Sequence, residues 1–316
     1  MSPADWPELP YDAWQETYAT LHRIAQIVGK VRLAMTPLVN HWWNAALQVG
    51  PRGLRTGATP YDGGLFEMEL DFVDHQLHVR TSGGGHEAMR LQTRTVSACL
   101  SEITAMLRHL GIAARISDRP CEIAEEAIPF AQDRRHSAYD PLAVERWYAI
   151  VRESSVILEE FRARFVGKCS PVQFWWGSFD LAVTRFSGRR APPRPGADAV
   201  QREAYSHEVS SAGFWPGTAA LGGPAFYSYM APSPKGFEAQ AVRPASAWFD
   251  AELGEWLLRY DDVRTAPDPR AVLLDFLQST YEAGARLAGW DRANLEREAA
   301  APQGEAPEVA PVQPTH

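Results

Sequence analysis

The sequence predicts an α+β fold of two pseudo-equivalent halves, each a helix, an antiparallel sheet and a helix, and three observations carry that prediction. Four segments repeat apolar residues at helical spacing and close on clear stop signals. Two segments between them alternate apolar and polar residues with a period of two, as hairpins with one wet face do. The same features also occur twice in the same order. Val28-Gly29-Lys30 ends one helix and Val166-Gly167-Lys168 another; each is followed by a proline (Pro37, Pro171), a tryptophan pair (Trp42-Trp43, Trp175-Trp176), a hairpin and a closing helix. Of 31 basic residues only Lys30, Lys168 and Lys235 are lysines, and two of these fall at the matching place. The reading is an internal duplication, with a first repeat over 1–135, a second over 136–297 and a tail over 298–316.

The elements follow in chain order. Residues 12–28 set Trp14, Tyr18, Leu21, Ala25 and Val28 on one helical face, with Gly29 as the stop. Residues 66–72 and 76–80 alternate around a turn at Asp74-His75. A helix from Thr95 follows Val96, Leu100, Ile103, Leu107 and Leu110 and stops at Gly111. Asp140-Pro141 opens the next, a cap followed by proline at the first helical position. Its stripe is Trp147, Val151, Ser154, Ile157, Phe161 and Phe165, closed by Gly167. Residues 247–253 and 256–260 form a second hairpin. Asp268-Pro269 opens the last helix, with Leu273, Phe276, Leu277 and Leu287 before Gly289. All these stripes are expected to be core. The second half alone carries a long loop insertion at about 187–245, rich in Gly, Pro, Ser and Tyr and without a period. Such a segment is functional or disordered, and its aromatics (Tyr205, Phe214, Trp215, Phe226, Tyr227, Tyr229) favour function. The tail lacks both periodicity and large apolar residues and is expected to be disordered.

Composition narrows the class. The 316 residues are 45% apolar and 11% aromatic, enough for a sizeable core. A net charge of −8 argues against a general nucleic-acid binder. No run of eighteen apolar residues offers a membrane-spanning helix, and MSPADWPELP lacks the basic start and apolar run of a secretory signal. Cys99, Cys121 and Cys169 make no disulfide framework. A cytoplasmic, bacterial-type protein is expected; nothing fixes its oligomeric state.

No Walker loop, GxGxxG after a strand, HExxH, CxxC or GxSxG is present, so chemistry must come from clusters. Tyr205-Ser206-His207-Glu208 sets a hydroxyl, an imidazole and a carboxylate side by side, suited to a base with its orienter or to metal ligation. Neighbours on a strand face opposite sides, so His207 and Glu208 would seldom address one substrate together. In Asn40-His41-Trp42-Trp43-Asn44, aligning the halves sets His41 against Phe174, so a titratable residue replaces an aromatic. Arg185, Arg189 and Arg190, with Arg194, form a basic run that could clamp a carboxylate or phosphate. Asp180 could be buried beside Arg185. Lys168 could lower the Cys169 thiol, although a buried structural thiol is the preferred reading, and Lys30 and Lys168 suit helix C-termini. His75 and His78 face opposite sides and are poor co-ligands.

The expectation is a cytosolic enzyme acting on a small polar or anionic molecule, in a cleft between the halves covered by the insertion. His41, His207 and Glu208 are its candidate catalytic groups and the candidate ligands of a divalent metal. Trp42, Asp180, Arg185, Arg189, Arg190, Tyr205 and Tyr227 are its candidate ligand contacts. The alternatives are a non-catalytic small-ligand-binding protein, and a structural or partner-binding protein presenting the insertion's aromatics.

The segments VGKVRLAMTPLVNHWW, ARFVGKCSPVQFWWGSFDLAVTRFSGRRAPP and EAYSHEVSSAGFWPG resemble a bacterial family known as domain of unknown function 5996, over nearly the whole chain up to about Arg297. The resemblance implies membership and carries over no activity, cofactor or site residue.

Overall fold

In a computed structural model of the chain, residues 6–123 and 127–297 are described; the tail expected to be disordered lies outside them. The first helix, α1 (Tyr11–Met35), does not stop at Gly29 but runs through it. Gly29 is there for packing. A Cβ at this position would stand 2.2 Å from Cδ1 of Trp176, so only glycine lets that ring lie against the helix.

After α1 a 3₁₀ turn, Asn40–Trp42, leads into the first sheet. It is built from β1 (Gln48–Val49), β2 (Gly53–Arg55), β3 (Thr59–Tyr61), β4 (Gly64–Asp71), β5 (Gln76–Thr81) and β6 (His86–Arg90), all antiparallel. The order is β1-β2-β4-β5-β6, with β3 on β4. The expected hairpin is β4–β5, turning at His75 with φ of 50°. Helix α2 (Val96–His109) follows, its first turn capped by the Thr95 hydroxyl, which accepts from the Ala98 amide at 3.3 Å. Helix α3 (Pro141–Ala163) opens at Asp140 as expected, the carboxylate accepting from the Leu142 amide at 3.0 Å. It ends before Gly167.

The second sheet comprises β7 (Gln173–Trp175), β8 (Asp180–Arg190), β9 (His207–Trp215), β10 (Ala225–Ala231), β11 (Trp248–Asp250) and β12 (Glu255–Arg259), in the order β11-β12-β10-β9-β8-β7. A short helix, α4 (Ala199–Ala204), stands between β8 and β9. The chain closes with α5 (Tyr260–Arg264), α6 (Pro269–Leu287), capped by Asp268 through the Ala271 amide at 3.0 Å, and α7 (Arg292–Leu295).

The α+β class is as expected, but the stretch 187–245 is no long loop. It supplies β9 and β10, the two middle strands of the second sheet. Residues 209–214 are buried without a break, as are 225–228, so these strands are covered on both faces and lack the alternation that marks a half-wet strand. Their aromatics are not presented outward either. Phe214 and Phe226 are 1% and 0% exposed, which removes the contiguous aromatic patch that a partner-binding reading needed.

Two of the matching sequence features also part company in three dimensions. Val28-Gly29-Lys30 lies within α1, whereas Val166-Gly167-Lys168 lies in the coil after α3. His41 sits on the 3₁₀ turn with a left-handed φ of 58°, whereas Phe174 lies in β7, so the two are not equivalent positions. The sheets meet where Leu47 and Phe174 exchange two backbone hydrogen bonds of 2.8 Å, and one apolar core runs through both halves. Among the described residues no helix is long and apolar enough to cross a membrane.

Candidate functional site

A cavity of about 690 Å³ lies over one face of β7–β10. Its other walls are the C-terminal turns of α1 (Lys30, Leu33), the turn at 41–45, the segment at Cys121-Glu122 and α4 with its flanks (Asp198, Gln201, Tyr205). Pairing places the floor. Trp175 pairs with Asp180, while Ala182, Gly213 and Tyr227 form one row across β8, β9 and β10. Gly213 matters in that row. A Cβ there would stand 2.0 Å from the Leu181 carbonyl oxygen and 2.6 Å from the Tyr227 hydroxyl, so glycine both admits the close approach of β8 and lets the tyrosine cross β9 to donate to Asp180. Ser178 donates to the other carboxylate oxygen.

Alternation along β8 settles which residues share this face. Asp180, Ala182 and Thr184 line the cavity, and Arg185, an odd number of residues from Asp180, points to the other side. Arg185 is 1% exposed with its guanidinium over Phe161 (3.5 Å) and Tyr281 (4.3 Å), and burial lowers it to about 10. It is not Asp180's partner. Arg189 is engaged too, bonding Glu208 at 2.7 Å and the Ala288 carbonyl at the end of α6 at 2.7 Å. Arg190 is exposed at the end of β8 and pairs with His207 in the ladder. The expected arginine clamp therefore does not form.

Glu208 is likewise turned away from His207, fixed by Arg189 and Ser187. His41, His207 and Glu208 do not converge, and among the described residues no three His, Cys, Asp or Glu side chains are grouped to hold a metal ion.

His41 does line the cavity, and its state follows from its bonds. Lys168 Nζ lies 2.6 Å from Nε2, and the ammonium can only donate there, so Nε2 accepts. Nδ1 then carries the hydrogen and donates to the Glu203 carbonyl at 3.1 Å. Burial, and next the Lys168 charge, push the His41 pKa down, which fits a neutral ring. Its acceptor is taken, so His41 is a poor general base. His207, 5.7 Å away ring to ring, does not line the cavity and is lowered by burial, Lys168 and Arg190. Lys168 also lies over Trp43 and Phe186 at 5.5 and 4.9 Å. Cys169 beside it is raised to about 11 by burial, as suits a buried structural thiol rather than one lowered by Lys168.

Of the candidate contacts, Trp42, Asp180, Tyr205 and Tyr227 line the cavity, with the Tyr205 hydroxyl 3.1 Å from that of Tyr229. Sequence reasoning missed Glu122, Trp175, Trp176, Ser178 and Tyr229. Glu122 had no signal, since it follows no periodic segment. It is brought in by Gln26 on α1, which bonds Cys121 twice (Nε2 to the carbonyl at 2.7 Å, Oε1 from the amide at 3.0 Å) and reaches the Gly177 carbonyl at 3.3 Å. Burial raises Asp180, and burial with the nearby Asp180 and Asp198 raises Glu122.

The structure is that of an α+β protein with a cavity walled by aromatic residues and lined by Asp180 and Glu122. The chain matches the model of a family of unknown function, DUF5996, over residues 6–297, and belongs to that family. No curated protein and no solved structure matches it.

Proposed function

We propose that the protein binds a small organic molecule in the cavity over β7–β10. One observation carries the reading. Asp180 is 7% exposed, faces a ligand-sized space, and is held by Ser178 and Tyr227 without any cation among the described residues. Burying a carboxyl without a charge partner costs free energy, and local costs of this kind gather at functional sites. The volume suits a drug-sized molecule, and the aromatic walls supply apolar area.

A thermal-shift screen of a fragment library, run on the wild type and on Ala182→Leu, tests it. Ala182 is at the centre of the floor, and a leucine there fills the space. Fragments should stabilise the wild type and lose their effect on the variant while the variant still melts cooperatively. Fragment binding that is indifferent to Ala182→Leu would end the proposal.

Catalysis is the second reading, and Asp180 favours it. A carboxyl whose pKa burial raises, bonded to a tyrosine, can hold and return a proton more readily than an ordinary aspartate. The bound molecule would then be recovered chemically changed from the wild type and unchanged from Asp180→Asn.

A further inference from the structure

The cavity is electrically uneven along its length. At the His41 end the aromatic rings already carry cations of the chain itself: Lys168 over Trp43 and Phe186, and Arg194 over Tyr205 at 4.2 Å. Six residues of β8 separate that end from Asp180, about 20 Å at the usual strand rise. At the Asp180 end the balance is reversed. Asp180 and Glu122 both line the wall, and neither makes an ion pair with any described residue. Beside Asp180, Trp175 and Tyr227 present rings over which no described cation lies. Lys30 lines the cavity too, but it rides over Trp176 at 5.5 Å and makes no ion pair with either acid among the described residues. Aromatic faces attract cations electrostatically, more strongly when desolvated, and a carboxylate adds a charge-assisted hydrogen bond. Rings and acids together, with no described cation paired to either acid, are what an ammonium group would complete.

We infer that the ligand carries a cationic nitrogen, an alkyl- or arylalkylammonium, seated at the Asp180–Glu122 end of the cavity with its apolar body along the tryptophans. This rests on the cavity reading and narrows it to a class. Ser178 and Tyr227 then serve to hold the Asp180 carboxylate in place, and the ammonium would supply the charge that the folded chain withholds from it.

The experiment is calorimetric titration with three probes of one shape: phenethylammonium, 2-phenylethanol and phenylacetate. The ammonium should bind the wild type at least about tenfold more tightly than either of the others. That preference should vanish in Asp180→Asn and shrink in Glu122→Gln, with each variant first shown to melt cooperatively. Equal or tighter binding of the alcohol or the carboxylate overturns the inference. So does a preference for the ammonium that survives both substitutions, or an absence of binding by all three. The failure of the class and of the cavity are separable. If the probes do not discriminate but fragment binding still disappears in Ala182→Leu, only the class is lost; if Ala182→Leu has no effect, the cavity itself is lost.

Discussion

Replacing Gly29 by alanine should destabilise the protein, against the usual sign for this change. Gly29 is inside α1, fully buried in the helix interior. There glycine costs roughly 0.5–1 kcal/mol relative to alanine, so alanine would ordinarily help. Here the added methyl would lie 2.2–2.4 Å from Cδ1, Cγ and Nε1 of Trp176. The indole cannot easily yield, because it is 7% exposed and its Nε1 donates to the Ala45 carbonyl at 2.7 Å. Overpacking of this kind costs about 1–3 kcal/mol, so after the helix gain the net loss is up to about 2.5 kcal/mol, centred on about 1 kcal/mol. Urea unfolding of Gly29→Ala followed by tryptophan fluorescence reads the sign directly. In a Trp176→Leu background the same change should become neutral or stabilising, since the obstructing ring is gone. An alanine variant as stable as the wild type, with no such reversal, would refute the packing of Trp176 on α1 and with it one wall of the cavity.

Three further outcomes follow from the electrostatics and packing. Burial, with Asp180 and Asp250, raises Glu255 from 4.5 to about 7; the folded state therefore holds this proton longer than the unfolded one, and its stabilising effect is lost as pH rises from about 4.5 through 7. Glu255→Gln should leave stability at pH 4 nearly unchanged and raise it at pH 8 by up to about 3 kcal/mol, measured by urea titration at the two pH values. Lys168→Met removes a charge that lowers His41, so the His41 ring should titrate at higher pH in an NMR titration; an unmoved titration would contradict the Lys168–His41 contact. Arg185→Ala should cost about 3 kcal/mol or more, as a large side chain enclosed by Phe161, Phe165 and Tyr281 leaves a cavity, yet probe binding by the folded variant should be unchanged, because Arg185 is on the far face of β8.

The helices were the most legible part of the sequence, because caps and stripes are local. Asp140-Pro141 and Asp268-Pro269 open helices where they should, and the hairpins β4–β5 and β11–β12 fall where the alternation put them. The errors share a physical origin in non-local contact. Gly29 resembles a terminator in sequence, yet it is explained only by a tryptophan on a distant turn. β9 and β10 hide because a strand buried on both faces has no alternation to show. Asp180 and Arg185 were linked by their closeness in sequence, though a strand's period of two puts them on opposite faces. At the site, Trp42, Asp180, Tyr205 and Tyr227 were visible as unusual residues in aromatic segments. Glu122 was invisible, since Gln26 and the turn at Gly177 bring it to the cavity and neither carries a motif.

The most direct test of the cavity as the functional site is to see where a ligand goes. A crystal of the protein soaked with phenethylammonium should show density over β7–β10, its nitrogen within hydrogen-bond reach of Asp180 or Glu122 and its ring against the tryptophans. Density instead in the smaller apolar groove of about 400 Å³ between α1 and α2, lined by Ile27, Val31, Ile103 and Leu107, with the β7–β10 cavity empty, would contradict it.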